Sequence, residues 1–278
     1  MRYNEICAAL RAAGIEEYRH EAALLLSHFC GISRDRLPLC RDGSFDSPKL
    51  ERAVEQRCQR RPLQYILGEW QFCTERYIVG EGCLIPRPET EALVLHAADV
   101  LTENALFADL CTGSGCVAVS LLVRRPDCRA IALDLSTDAL RFARENAELN
   151  GVSDRIEFIN ADLLDPSTPE LLGKSRFSAI ISNPPYIPSR TVDALDPELF
   201  FEPRMALDGG EDGLVFYRAL MNFKGCLTNG GFMLFEAGYD QEKSLAKLAE
   251  KENFSFEALY DLSGHFRTAK FTPNGRSK

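Results

Sequence analysis

From Glu89 onward the chain switches repeatedly between two hydrophobic periods, and this alternation limits its fold more than any other feature. Helical spacing over 89–102 gives way to an apolar run at 105–110, then helix 115–124, strand 130–135, helix 137–150 and strand 156–160. Strand 177–182 follows, then a long loop, helix 212–227, strand 231–236, helix 240–251, and strands near 256–261 and 267–272. Strands separated by helices line up in parallel, with helices covering both faces of the sheet. The last two strands have no helix between them and are expected to pair antiparallel. The predicted fold class is therefore α/β with a mainly parallel sheet.

The first part of the chain reads differently. Residues 3–33 carry helical periodicity, and Asp46-Ser47-Pro48 marks a helix start, with Ser47 as N-cap and Pro48 in the first turn. That helix is expected to run to about Arg60. Its basic residues Arg52, Arg57, Arg60 and Arg61 read as a solvated surface or, alternatively, as a partner-binding face. Trp70, Phe72, Tyr77, Ile78 and Val79 near Gly80 and Gly82 predict a β-hairpin. The expected organisation is a helical domain over 1–68, a hairpin linker over 69–88 and the α/β domain over 89–278.

Composition excludes several classes. No apolar run approaches the length that crosses a bilayer, and the start lacks a signal-peptide core, so a cytoplasmic chain is expected. The ten cysteines are dispersed without a C-x-x-C pair, and the four histidines are scattered, so buried free thiols are expected rather than a metal site. Residues 1–88 carry 13 Lys/Arg against 12 Asp/Glu, whereas residues 89–278 carry 19 against 29. An acidic second part is a poor duplex-DNA binder, because phosphate neutralisation carries most of that affinity, and it suits a protein partner better. No direct nucleic-acid or membrane binding is expected.

After the apolar run 105–108 comes Asp109-Leu110-Cys111-Thr112-Gly113-Ser114-Gly115-Cys116. Glycines here let backbone pass close to a ligand. The next strand ends in Asp134, 19 residues after Gly115, the offset at which an acid accepts hydrogen bonds from ribose hydroxyls. Gly113-x-Gly115-x-x-Ala118 also satisfies the loose dinucleotide pattern, so a nicotinamide cofactor competes. Asp109 beside the turn would repel a pyrophosphate. It suits a ligand without phosphates and with a cationic amino-acid end, S-adenosylmethionine. Asp162, with Leu163, follows the third strand and is placed at the adenine amino group or, alternatively, in an N-cap or Asx turn.

The run 177–182 ends in Asn183-Pro184-Pro185-Tyr186. Two prolines stop the ladder, and Pro184 holds Asn183 in an extended conformation. An amide and an aromatic ring are thereby fixed at a strand's C-terminal end, where open α/β sheets bind ligands. Most Pro-Pro pairs only end a strand; the company of the glycine turn makes this one specific.

These motifs resemble class I S-adenosylmethionine-dependent amino-methyltransferases, which act on adenine in nucleic acid or on glutamine amides in protein. Pro62-Leu63-Gln64-Tyr65-Ile66-Leu67-Gly68, Leu84-Ile85-Pro86-Arg87-Pro88-Glu89-Thr90-Glu91 and Phe201-Glu202-Pro203-Arg204-Met205-Ala206-Leu207 favour the second group. With them, the chain is similar to the peptide-chain release factor glutamine-N5 methyltransferase family, the HemK-type proteins, over nearly its whole length. Cys111 stands where the family often has glycine, and Cys73-Thr74-Glu75-Arg76 replaces a hairpin segment that usually contains one.

The resemblance implies a Rossmann-like seven-stranded sheet and methylation of the glutamine in the Gly-Gly-Gln motif of class I release factors. Asn183, Pro184 and Tyr186 would be catalytic. A primary amide offers two N–H donors; Asn183 supplies one acceptor, the Pro184 carbonyl the second, and Tyr186 covers the flat face. Pro185, Arg87 and Glu89 would border the substrate. Cys111, Thr112, Gly113, Ser114 and Gly115 would pass under the methionine part, with Asp109 beside them and Asp134, Leu135, Asp162 and Leu163 around the adenosine. A nucleic-acid adenine methyltransferase, or a non-catalytic binding protein of this fold, are the alternatives.

Overall fold

The computed structural model describes residues 1–32, 36, 43–172 and 176–275. The chain divides into two compact units: Met1–Glu69 with Asp196–Phe201, and Trp70–Leu195 with Glu202–Lys278.

The first unit is helical: α1 (Tyr3–Ala12), α2 (Tyr18–Cys30), α3 (Pro48–Cys58) and α4 (Leu63–Leu67). α3 starts as its sequence demands, with Ser47 Oγ accepting from Leu50 N and Pro48 in the first turn. Leu50, Ala53, Val54 and Arg57 form one buried face, packed into a core with Ile6, Leu10, Leu25, Leu26 and Leu63. Arg57 is therefore no surface charge. It is 5% exposed, and its guanidinium donates to Glu21 on α2 and, at 2.9 Å, to Glu198 Oε1. Arg60 reaches the other oxygen of Glu198 at 2.7 Å and the Gly14 carbonyl at 2.9 Å. The expected solvated or partner-binding face is thus replaced, at these two arginines, by internal ion pairs that hold the remote segment Asp196–Phe201 in the helical unit. Residues 173–175 and 33–42, apart from Arg36, lie outside the described residues.

In the second unit, hairpin β1 (Glu69–Phe72) and β2 (Glu75–Ile78) is two-stranded. The main sheet comprises β3 (Leu106–Leu110), β4 (Arg129–Asp134), β5 (Ile156–Asn160), β6 (Phe177–Ser182), β7 (Leu227–Glu236), β8 (Phe254–Tyr260) and β9 (Phe266–Pro273), in the order β5-β4-β3-β6-β7-β9-β8. Pairs from β5 across to β7 are parallel, while β7–β9 and β8–β9 are antiparallel, as the missing helix before the last strand predicts. Phe107, Ala108, Asp109 and Leu110 are buried in succession, so β3 is covered on both faces. The covering helices include α5 (Thr90–Val100), α6 (Cys116–Arg124), α7 (Thr137–Leu149), α8 (Val215–Met221) and α9 (Glu242–Lys251).

The expected helix 212–227 is shorter. Gly213 adopts φ 71°, α8 begins at Val215, and a 3-10 turn, Asn222–Cys226, completes the segment. Chain order decides where a ligand goes. The chain leaves β3 for β4 and β5 on one side, then returns to place β6 on the other. The crevice between these opposed connections, at the strands' C-terminal ends, is the ligand position of open α/β sheets.

Candidate active site

Three chain segments meet at this crevice: the turn after β3, the acid ending β4 and the proline-stiffened tip after β6. Cys111, Gly113 and Gly115 all adopt positive φ, at 64°, 57° and 79°. At Gly115 a side chain is excluded twice, by that φ and by Ala143 on α7, whose Cβ would lie 3.1 Å from an added methyl. Asp134 braces the turn. Its Oδ2 accepts from Gly113 N at 2.8 Å and its Oδ1 from Ser136 N at 2.9 Å. Burial pushes its pKa up.

A cavity of about 380 Å³ opens here, lined among others by Cys111, Gly113, Asp134, Leu135, Asp162, Leu163, Asn183 and Pro185. A second, of about 30 Å³, adjoins it and shares Leu84, Cys111, Gly113 and Asn183, adding Arg87, Thr90, Thr112 and Ser114. Of the residues singled out from sequence, Asp109, Gly115, Pro184, Tyr186 and Glu89 line neither. Asp162 serves its own loop as well as the cavity, since Oδ1 accepts from Leu164 N at 2.8 Å in an Asx turn.

Asp109 lies beneath the turn rather than in the cavity wall. It is 1% exposed, and Oδ2 accepts from Thr112 Oγ1 at 2.6 Å and from Ala118 N at 3.1 Å. Its Oδ1 is buried and finds no hydrogen-bond partner among the described residues, and burial pushes its pKa up to about 7. A cation over this turn would favour ionisation of both Asp109 and Asp134. The donor set therefore fits a ligand with a positive amino-acid end and a ribose, and fits a pyrophosphate badly.

Asn183 stands in the wall common to both cavities, and its Nδ2 donates to Thr90 Oγ1 at 3.1 Å. Ser182 Oγ donates to the Leu110 carbonyl, locking the end of β6 to β3. Tyr186 turns its hydroxyl to Glu236 Oε1 at 3.3 Å, and burial raises its pKa. Glu236, Thr90 and Gln241 were not apparent as site residues in the sequence. Gln241 Nε2 donates to the carbonyls of Tyr186, at 3.2 Å, and Gly213, at 3.1 Å, while Oε1 accepts from Gly238 N at 2.9 Å. The one signal was a polar residue, Glu236, ending the apolar run 232–235.

The tip is also cradled by Leu207–Gly213. Gly209 N donates to Ile187 O at 2.8 Å, and a methyl on Gly209 would stand 2.7 Å from the Tyr186 Cα. Only glycine lets these two backbones approach so closely.

Comparison with known proteins decides the family. The profile PrmC N-terminal domain matches residues 3–68, and the profile Methyltransferase small domain matches residues 89–224. The release factor glutamine methyltransferase of Chlorobaculum tepidum is 40% identical over 261 residues, covering 90% of this chain and 88% of that protein. The enzyme of the same name from Geobacter sulfurreducens is 36% identical over 250 residues, covering 88% and 86%. This chain belongs to the release factor glutamine methyltransferase family. A tRNA methyltransferase from M. jannaschii shares the fold alone, with a TM-score of 0.50 and 14% identity over 75% of this chain and 55% of its own.

Two of the family's segments meet through one side chain. Glu202, 5% exposed, accepts from Ile85 N at 2.9 Å and from Arg87 Nη2. It thereby fastens the Leu84–Glu91 loop, and with it Thr90, to the Phe201–Leu207 loop that lines the larger cavity through Pro203, Met205 and Ala206. Cys111, and Cys73 at the start of the hairpin segment Cys73–Arg76, both adopt positive φ, 64° and 53°, a backbone region that favours glycine. Burial pushes both thiols up, so neither is a ready nucleophile.

Proposed function

We propose that this chain transfers the methyl group of S-adenosylmethionine to the side-chain amide nitrogen (glutamine-N5) of the glutamine in the Gly-Gly-Gln motif of class I peptide-chain release factors. The observation that carries the reading is Asn183. Its amide is held from behind by Thr90, at the C-terminal end of β6, in the wall that two adjoining cavities share.

When bound, S-adenosylmethionine supplies a methyl group on a sulfonium. An amide nitrogen is a weak nucleophile because its lone pair is delocalised into the carbonyl. The protein therefore contributes orientation and exclusion of water more than acid–base power. With Nδ2 committed to Thr90, Asn183 turns Oδ1 toward the cavities, where it accepts one N–H of the target amide. The Pro184 carbonyl accepts the other. The Tyr186 hydroxyl is tied to Glu236, which leaves its ring as the part available to the amide plane. The proton released after transfer passes to water. Asp134 holds the ribose, Asp162 and Leu163 hold the adenine, and the turn Cys111–Gly115 passes under the methionine part, with Arg87 and Glu89 at the border of the substrate.

The helical residues 1–68 serve substrate choice, since they carry none of the cofactor motifs, and 69–88 links them to the catalytic domain 89–278. The reaction belongs in the cytoplasm, which suits the nine free cysteines described. A nucleic-acid adenine target is disfavoured by the relatives' names and by the acidic second part of the chain.

Incubation with radiolabelled S-adenosylmethionine and either a release factor or DNA tests this. Label on the Gly-Gly-Gln glutamine, located by mass spectrometry, is expected. Label on DNA alone, or on neither, overturns it.

A further inference from the structure

Behind Asn183 lies a short polar chain that the reading above leaves without a role. Asn183 Nδ2 donates to Thr90 Oγ1 at 3.1 Å. Thr90, the first residue of α5, is 1% exposed. Beyond it is Glu236, the last residue of β7 and 2% exposed. Glu236 Oε1 accepts from the Tyr186 hydroxyl at 3.3 Å, while Oε2 is buried and makes no regular hydrogen bond among the described residues. The Thr90 hydroxyl acts on this carboxyl as a donor would, favouring its ionised form, although the contact falls short of regular hydrogen-bond geometry.

A hydroxyl has one proton to give and lone pairs to receive. If the Asn183 nitrogen already points at Thr90 Oγ1, the Thr90 proton needs an acceptor elsewhere, and Glu236 Oε2 is open to it. A charged carboxylate can only accept. It therefore orders the whole chain: Thr90 gives its proton to Glu236 and receives from Asn183, and Asn183 is left with its oxygen toward the cavities. With a neutral acid or an amide at 236, Thr90 can receive from that side and give its proton to Asn183. The asparagine then settles in the flipped state, with NH2 facing the cavities. An NH2 there meets the target's own NH2, donor against donor.

We propose that Glu236 is a positioning residue for methyl transfer: through the Thr90 hydroxyl it decides which end of the Asn183 amide faces the glutamine, and through Tyr186 it holds the other side of the Asn-Pro-Pro-Tyr tip. This rests on Asn183 as the acceptor for the target amide. The groups facing Glu236 set its charge. Burial, and to a smaller extent Glu89, raise its pKa, while Thr90, the Tyr186 hydroxyl and Arg267 lower it, for a value of about 7. Cys116 and Tyr217 lie near enough to feel its charge, and the Tyr217 hydroxyl donates to the Glu236 backbone carbonyl, at 2.8 Å, and to Gln241 Oε1, at 3.3 Å. Protonation as pH falls below about 7 should release the Asn183 amide.

The test uses the full chain with S-adenosylmethionine and an intact release factor, measuring kcat, KM, cofactor Kd and thermal melting. Thr90→Val and Glu236→Gln should each lower kcat by about 10- to 100-fold, the scale of a misoriented reacting group. KM and Kd should change by less than about threefold, because the lost interaction acts on alignment at the reacting atom. Thr90→Ser, which keeps the hydroxyl, should restore most of kcat. The double variant should lose little more than either single one, because both act through the same proton. The acid limb of kcat near pH 7 should flatten in Glu236→Gln. Full kcat in Thr90→Val, or multiplied losses in the double variant, overturns the proposal. If Glu236→Gln fails to fold, the Thr90→Val and Thr90→Ser pair decides alone. Asn183→Ala separates the two levels. If it is inactive while Thr90→Val is fully active, only the relay fails; if it is active, the reading of Asn183 fails with it.

Discussion

Asp134→Asn exchanges one oxygen for an NH2 with little change of shape, and the two duties of Asp134 respond differently. In the folded chain one oxygen accepts from Gly113 N and the other from Ser136 N. An asparagine has a single acceptor oxygen, so whichever way it flips, its NH2 meets one of these N–H groups. One partly buried donor loses its partner, at about 1–3 kcal/mol. Relief from ionising a group whose pKa burial has raised offsets part of that loss. The net loss should be about 1 kcal/mol, a fall in Tm of roughly 2–4 °C for a chain of this size. Cofactor binding should suffer more. A ribose hydroxyl donating to a carboxylate contributes about 1.5–3 kcal/mol, and losing one such bond raises Kd by about 10- to 150-fold. Calorimetric titration with S-adenosylmethionine, beside melting of the free protein, separates the two duties. An unchanged Kd in a variant that melts lower would refute the ribose assignment and leave Asp134 as a brace for the turn alone.

Gly209→Ala should fold but shift the Asn-Pro-Pro-Tyr tip, because the new methyl would stand 2.7 Å from the Tyr186 Cα and 2.8 Å from the Pro185 carbonyl oxygen. Overpacking costs about 1–3 kcal/mol, and kcat should drop well below wild type while cofactor Kd moves little; wild-type kcat would mean that the loop gives way without moving the tip. Cys111→Gly should leave cofactor affinity within about threefold and raise Tm slightly, since a left-handed L-residue costs about 1–2 kcal/mol and glycine's extra chain entropy about 0.5–1. A fall of several degrees would show that packing of the thiol outweighs the strain. The Asp109 pKa, raised from 3.8 to about 7, means that the folded state binds this proton more tightly than the unfolded state. Stability from this group is full below about pH 4 and declines as pH rises to about 7, by about 4 kcal/mol in all. Denaturant unfolding across that range should show a shallower slope in Asp109→Asn; the same slope as wild type would place Asp109 in a better-solvated setting.

The Arg57 contacts also bear on any shortened chain. One that starts near residue 69 leaves Glu198, whose carboxyl is held low by Arg60 and Arg57, without either partner. The segment Asp196–Phe201 belongs to the helical unit, so such a fragment keeps it without the helices that it packs against.

Legibility from sequence followed the range of the interaction. The strand ends were readable because an apolar run stops at a polar residue or at proline, and both signals are local. Asp134 and Asn183 therefore stood out, as did the Ser47 cap and the antiparallel close of the sheet. Arg57 was misread although its signal was present. It falls on the same stripe as Leu50, Ala53 and Val54, and a charge on a buried stripe needs a partner. That partner is partly Glu198, 141 residues away. Glu202, Thr90, Glu236 and Gln241 were hidden for the same reason. Each acts through a contact that no spacing along the chain records, and each becomes visible only when the parallel sheet brings the ends of β3, β6 and β7 side by side. The sequence by itself determined which segments are strands, where each one stops and which chemical groups stand at those stops, because hydrophobic period, proline and glycine act over a few residues. The tertiary structure alone decided which of those groups hold one another, and so which way the Asn183 amide faces, because that depends on strand order and on backbones packed closely enough to need glycine.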